Sequence, residues 1–156
     1  MTTIDYSDST PDVTFTYTRL GQQATVTDVC GTREFAYSAT TLDLASEALP
    51  AAFYGDKVLT RTHDAFGRDT GYLLGPVANP SADADILYAH DQFGRFSTLT
   101  NAKLPTPNTF SYAYLANSDL LATTTYPSDI TVTRAYESNR NLIDTIENKV
   151  RAGTFM

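Results

Sequence analysis

The feature that most constrains the fold of this chain is a six-residue segment that occurs twice. Residues 63–68 read HDAFGR and residues 90–95 read HDQFGR, so the two segments agree at five of six positions and start 27 residues apart. Sequence periods between about 20 and 50 residues are typical of proteins built from repeated supersecondary units. The pair therefore indicates a repeat architecture and supplies a frame for finding weaker copies.

The first position of this segment recurs along the whole chain. Weaker copies precede and follow the two strong ones, and successive copies are separated by steps of 20, 26, 27, 24 and 22 residues. We call the first residue of each copy a frame residue. The six frame residues are Tyr17, Tyr37, His63, His90, Tyr114 and Tyr136.

Each copy has the pattern of a β-hairpin. An alternating segment rich in Thr, Tyr, Phe and Val ends in an aromatic residue, and a polar residue that can bond its own backbone follows, as at Asp64 and Asp91. Glycine then supplies the positive φ of a tight turn, and two weaker copies offer asparagine instead. These residues are Gly21, Gly67 and Gly94, and Asn117 and Asn139.

The predicted fold is all-β: an antiparallel array of about six β-hairpins in a single domain over residues 1–156. Pro and Gly place surface loops at residues 75–81 and 104–108, and one short helix is expected at residues 41–48, before Pro50. Hydrophobic residues at 42% and charged residues at 19% are values typical of globular proteins.

Charge and hydropathy exclude several classes of partner. The net charge of −7 argues against binding a phosphate backbone, which needs clustered Lys and Arg. No apolar stretch is long enough to span a membrane, and the N-terminus shows no export signal. A single cysteine, Cys30, excludes an intrachain disulfide and a cysteine-rich metal site. We expect no cofactor and no bound metal.

The pattern Tyr-Asp, two residues, Gly-Arg, recurring at these steps, resembles the YD repeats of the Rhs family of bacterial shell proteins and of teneurins. The resemblance covers most of the chain and is strongest at residues 63–68 and 90–95, which carry His in the place of Tyr. It implies a curved or spiralling sheet of hairpins that closes, in full-length members, around a toxin or folded cargo. The repeat-turn residues that it implies are Tyr17, Gly21, His63, Asp64, Gly67, Arg68, His90, Asp91, Gly94, Arg95, Tyr114 and Tyr136.

The resemblance implies a function that involves no catalysis. The chain would be a shell fragment or interaction module of a secreted or cell-surface protein, with a protein or glycoprotein partner and room for a homodimer through its open sheet edges. No Asp-Pro pair occurs in the sequence, whereas the self-cleavage segment that ends Rhs cores contains one.

A second hypothesis comes from Asp69-Thr70-Gly71, the signature tripeptide of aspartic peptidases. Such enzymes need two carboxylates that share a proton, so one copy would require a homodimer. The residues before Asp69 are Gly67 and Arg68, where the peptidase pattern has apolar residues.

Three further hypotheses concern ligands. His63 and His90 are the only histidines and could bind a metal, although ring stacking within each hairpin also explains them. Asp83 and Asp85 lie in a loop and could bind calcium or simply face solvent. The 10 Tyr and 8 Phe residues could form either a packed core or an aromatic face that recognises glycans or an unfolded chain.

Overall fold

The computed structural model describes residues 2–150 and contains 13 strands and one short helix in that range. Contacts divide the chain into two units, the first ending at Asp85 and the second beginning at Ile86. Strands are numbered in chain order. All strand pairs described in either unit are antiparallel, which confirms the predicted all-β hairpin array.

Seven strands and the helix belong to the first unit, where each strand pairs with the next one along the chain. The helix α1, Ala51–Tyr54, lies between β5 and β6. The strands are β1 (Thr2–Ile4), β2 (Val13–Tyr17), β3 (Gln23–Asp28), β4 (Gly31–Tyr37), β5 (Leu44–Leu49), β6 (Lys57–His63) and β7 (Asp69–Gly75).

Strand β8 begins two residues before the boundary and pairs with β9 through residues of the second unit. Pairing again follows chain order from β8 to β13. These strands are β8 (Ala84–His90), β9 (Phe96–Asn101), β10 (Thr109–Tyr114), β11 (Leu121–Thr125), β12 (Ile130–Tyr136) and β13 (Ile143–Val150).

Every frame residue is the last residue of a strand, and the strand register shifts at each one. The shifts fall at Thr16/Tyr17, Ala36/Tyr37, Thr62/His63, Ala89/His90, Ala113/Tyr114 and Ala135/Tyr136. A β-bulge adds a residue to one strand and increases the local twist. The six hairpins are those that the sequence frame predicts, and the structure adds a register shift at the end of the first strand of each.

The helix expected at residues 41–48 is a wrong prediction. Residues 44–49 form β5, which pairs with β4 on one edge and β6 on the other. Leu and Ala in this segment favour a helix in isolation, but ladder hydrogen bonds on both edges override that propensity. No helix in residues 2–150 combines the length and hydropathy needed to cross a membrane.

The two sides of the sheet differ in chemistry in the second unit. One side carries rings in contact, with the Phe96 centroid 5.5 Å from Tyr88 and 5.2 Å from Tyr112. On the other side hydroxyl residues stand opposite one another across strands, as in the pair Thr100 and Thr109, whose hydroxyls are 2.8 Å apart. Cross-strand pairs of this kind stabilise a sheet without a second layer over them.

Burial is shallow throughout the described residues. Only two apolar side chains count as buried, Val26 at 6% and Ile86 at 8% relative exposure, and none is fully buried. Domains usually bury a sheet face against a second layer of secondary structure. Here the aromatic side of the sheet remains half-buried, so hairpin geometry must contribute more to stability than a deep core does.

Gly67 tests the requirement for positive φ. Its φ is +78° and a Cβ at this position would meet nothing within 4 Å, so Gly67→Ala adds backbone strain and no clash. We expect Gly67→Ala to lower the free energy of unfolding by about 1 kcal/mol, measured by chemical denaturation. Gly67→Asn should cost less although its side chain is larger, because Asn tolerates this conformation. Equal stability of Gly67→Ala and the natural chain would contradict this account.

Candidate functional site

The turn after His63 is held by one carboxylate. The Asp64 Oδ1 atom accepts hydrogen bonds from the backbone N–H groups of Phe66 (2.8 Å) and Arg68 (3.0 Å). The Asp64 Oδ2 atom accepts from the Arg68 guanidinium at 2.7 Å (Nε) and 2.6 Å (Nη2). The Arg68 guanidinium also lies 5.2 Å from the centroid of the Phe66 ring.

The turn after His90 repeats this arrangement atom for atom. The Asp91 Oδ1 atom accepts from the N–H groups of Phe93 (2.9 Å) and Arg95 (3.0 Å), and Oδ2 accepts from Arg95 Nε (2.8 Å) and Nη2 (2.7 Å). The Arg95 guanidinium lies 5.0 Å from the Phe93 ring centroid. Identical residues therefore build identical turns, with a backbone bond from Gly94 N–H to the Asp91 carbonyl at 2.9 Å.

The pKa values of both carboxyl groups are lowered from 3.8 by these bonds. Desolvation alone would raise the pKa of Asp64, but the hydrogen bonds from the Arg68 side chain and from the N–H groups of Arg68 and Phe66 outweigh it. The same causes act on the pKa of Asp91 through Arg95 and Phe93. Both carboxylates are therefore ionised at neutral pH and are acceptors rather than proton donors.

The β2–β3 hairpin forms the same five-residue turn with a weaker group. The Thr18 hydroxyl accepts from the N–H groups of Leu20 (3.3 Å) and Gln22 (3.2 Å), in place of a carboxylate. Asn117 has a φ of +55°, as its residue type suggests. Asn139, expected to do the same, is not among the residues with positive φ, and Leu42 has a φ of +65° without any sequence signal for it.

Arg95 also joins its hairpin to the next one. Its Nη1 atom donates to the Ser118 carbonyl and lies 3.8 Å from the Asp119 carboxylate. The guanidinium lies 4.4 Å from the centroid of the Tyr114 ring. One cation thus contacts a carboxylate, a ring and a carbonyl, and couples the turn of β8–β9 to the turn of β10–β11.

Tyrosine hydroxyls provide a second tie between successive hairpins, which the sequence analysis missed. Tyr37 donates to the Gln23 carbonyl (2.9 Å), Tyr114 to the Phe96 carbonyl (2.7 Å) and Tyr136 to the Leu121 carbonyl (3.0 Å). A signal was present, because four of the six frame residues are tyrosine and none is phenylalanine. A purely packing role would not prefer the hydroxyl.

Asp69-Thr70-Gly71 lies at the start of β7. The Asp69 side chain is 69% exposed, and its Oδ1 atom is 3.0 Å from His63 Nε2 in the same hairpin. The Thr70 hydroxyl donates to the Thr62 hydroxyl (3.0 Å), and the Gly71 carbonyl accepts from Thr62 (3.2 Å). These contacts place the tripeptide in a paired strand with an imidazole, rather than another carboxylate, beside Asp69.

Two of the remaining candidate ligands contact other protein groups. The His90 ring meets Phe96 edge to face at 6.2 Å, and Asp83 forms an ion pair with Lys57 at 2.7 Å. Within residues 2–150, no three His, Cys, Asp or Glu side chains converge in a way that could hold a metal ion.

The acid response of the fold follows from the turn carboxylates. A carboxyl group with a lower pKa in the folded state stabilises the fold above its unfolded pKa, and that stabilisation disappears as the pH falls through the folded pKa. We expect the double variant Asp64→Asn/Asp91→Asn to be less stable than the natural chain at neutral pH. Urea unfolding from about pH 5 to about pH 2 should show it losing less stability on acidification. Parallel acid profiles for the two proteins would refute the assignment.

The hydroxyl tie is tested by Tyr114→Phe, which removes one oxygen and keeps the ring beside Arg95. We expect the free energy of unfolding to fall by about 1 kcal/mol, the net value of one hydrogen bond. Tyr17→Phe is the matched control, because the Tyr17 side chain is 50% exposed and its hydroxyl has no bond among the described residues. The control should change stability by less than about 0.5 kcal/mol. Equal effects of the two changes would argue against the tie.

Comparison with known proteins shows the fold and no more. No protein-family model matches the sequence, and no curated protein matches it either. The chain is similar in structure to the crystal structure of TcdB2-TccC3-Cdc42, with a TM-score of 0.52 and 16% identity. It is similar to that of TcdB2-TccC3 with a TM-score of 0.50 and 16% identity. Each likeness covers 90% of this chain and 9% of the other, so the chain spans about a tenth of their length and shares their β-fold.

Proposed function

We propose that this chain is a non-catalytic structural module: a YD-repeat segment of the wall of an Rhs-like shell, whose aromatic side contacts another polypeptide. The observation that carries the proposal is the identity of the two turns at Asp64 and Asp91, down to each hydrogen bond. Residues that shape the backbone of a repeated unit make the same contacts in every copy of the unit. Catalytic residues usually occur in one copy only.

The hydrogen bonds made by the two turn aspartates support a structural role. The aspartates of the turns are bonded to backbone amides and to guanidinium groups, and both have lowered pKa values. A general acid needs a raised pKa and a general base needs a free lone pair directed at substrate. Groups held in this way maintain a backbone shape rather than transfer protons.

The open aromatic side supports a role in contacting protein. In the second unit the rings of Tyr88, Phe96 and Tyr112 form a contacting row, and none of the three is buried. Contiguous rings on an uncovered surface are typical of protein interaction sites. An extended or non-native polypeptide can place its apolar side chains against such a row while its polar groups remain in solvent.

A single assay separates this function from the peptidase and glycan hypotheses. The chain is mixed in parallel with a reduced, carboxymethylated protein and with a mucin-type glycoprotein before and after removal of its glycans, at several values between about pH 3 and about pH 7. Both binding and cleavage are followed. We expect binding without cleavage. Tyr112→Ser should weaken binding roughly tenfold, since it removes one ring of the row. Ser111→Ala, on the neighbouring residue of the same strand and the opposite side, is the matched control and should bind as the natural chain does.

Two results would overturn the proposal. Cleavage by the natural chain that disappears in Asp69→Asn would establish a peptidase, because this change keeps the shape of the side chain and removes the ionisable carboxyl group. Binding to a mucin-type glycoprotein that requires its glycans, with none to the unfolded protein, would establish a glycan-binding module.

A further inference from the structure

The outer edge of β13 is the longest unpaired strand edge among residues 2–150. β13 has eight residues, all exposed, and pairs with β12 through seven residue pairs. No described strand pairs with its other edge. Unpaired edges present a row of N–H and C=O groups that can template a further strand.

The tyrosine ties obey a positional rule that extends to this edge. In each tie the acceptor carbonyl belongs to the first residue of the second strand of the preceding hairpin, at Gln23, Phe96 and Leu121. Each acceptor is also the residue paired with that hairpin's own frame residue across the bulge.

Ile143 occupies the same position in the last described hairpin. It is the first residue of β13 and pairs with Tyr136, as Leu121 pairs with Tyr114. The Ile143 carbonyl is therefore the matching acceptor for a tyrosine hydroxyl that would arrive with the next strand.

We propose that the β13 edge is a β-augmentation site for an extended polypeptide segment that resembles β12 and ends in tyrosine. The segment lies antiparallel to β13, and its tyrosine hydroxyl donates to the Ile143 carbonyl. This inference rests on the proposed structural function, because it extends the hairpin array by one strand.

The side chains of β13 define the pattern that the segment must have. Ile146 and Val150 are 56% and 58% exposed, and in the register with β12 they lie on the same side as Val132 and Ile130. Thr145, Glu147 and Lys149 lie on the other side, opposite Ala135, Thr133 and Thr131. The fitting segment therefore alternates apolar residues with hydroxyl residues, as β12 itself does.

The probe is a synthetic peptide with the sequence of residues 130–137, ITVTRAYE, blocked at both ends and labelled with a fluorophore. We expect saturable binding to the full chain and, by hydrogen exchange, new protection in β13 and none in β1. The same peptide with phenylalanine in place of its tyrosine should bind about fivefold more weakly, the effect of one hydrogen bond. Ile146→Lys in the protein should abolish binding, because it places a charge on the side of β13 where Ile146 and Val150 would contact the apolar residues of the segment. Val29→Lys, at a loop residue that is 75% exposed, should not.

Absence of saturable binding, equal binding of both peptides, or protection outside β13 would each overturn the inference. Dimerisation that Ile146→Lys abolishes, without peptide binding, would overturn it in favour of a second copy of this chain at the edge. None of these results touches the proposed structural function, which is overturned by cleavage or glycan dependence in the preceding assay.

Discussion

Each strong turn in this protein depends on one ionised carboxylate that satisfies two backbone N–H groups and a guanidinium at once. The carboxylates of Asp64 and Asp91 do this with distances between 2.6 and 3.0 Å. The two amides fix the path of the chain, and the guanidinium keeps the carboxylate charged and oriented. The path of the chain through these two turns follows from this point, so the residue order Asp, two residues, Gly, Arg encodes the geometry of the turn.

Strand ladders join the two strands of each hairpin, and within each unit they also join one hairpin to the next. Successive hairpins are tied further by tyrosine hydroxyls and, at Arg95, by a cation shared with the next turn. These added ties explain how a chain with so few buried apolar side chains keeps its strands in register. Specific polar bonds at the strand ends define the order that a deep core would otherwise define.

Sequence reasoning succeeded where the signal was local and failed where neighbouring strands decided the outcome. The turn at Gly67 is encoded by adjacent residues, so the frame could be found without a structure. Residues 44–49 form a strand because β4 and β6 flank them, and no local feature reports those neighbours. The left-handed conformation of Leu42 is likewise a consequence of the loop that contains it. The hydroxyl ties required a reason for tyrosine over phenylalanine, which only the positions of the acceptor carbonyls supply.

The lengths of the connections between strands differ between the two ends of the hairpins. At the turn end the connections differ by at most one residue, from five at residues 64–68 to six at residues 115–120. At the other end they run from two residues, at 29–30, to eight, at 76–83. The bonded turns vary in length by at most one residue, whereas the cost of closing a loop rises only slowly as the loop grows. Insertions can therefore accumulate in the loops of variable length along one rim of each unit, while the rim with the bonded turns stays constant. The rim of variable loops is where related chains can diversify and where an inserted tag would be accommodated.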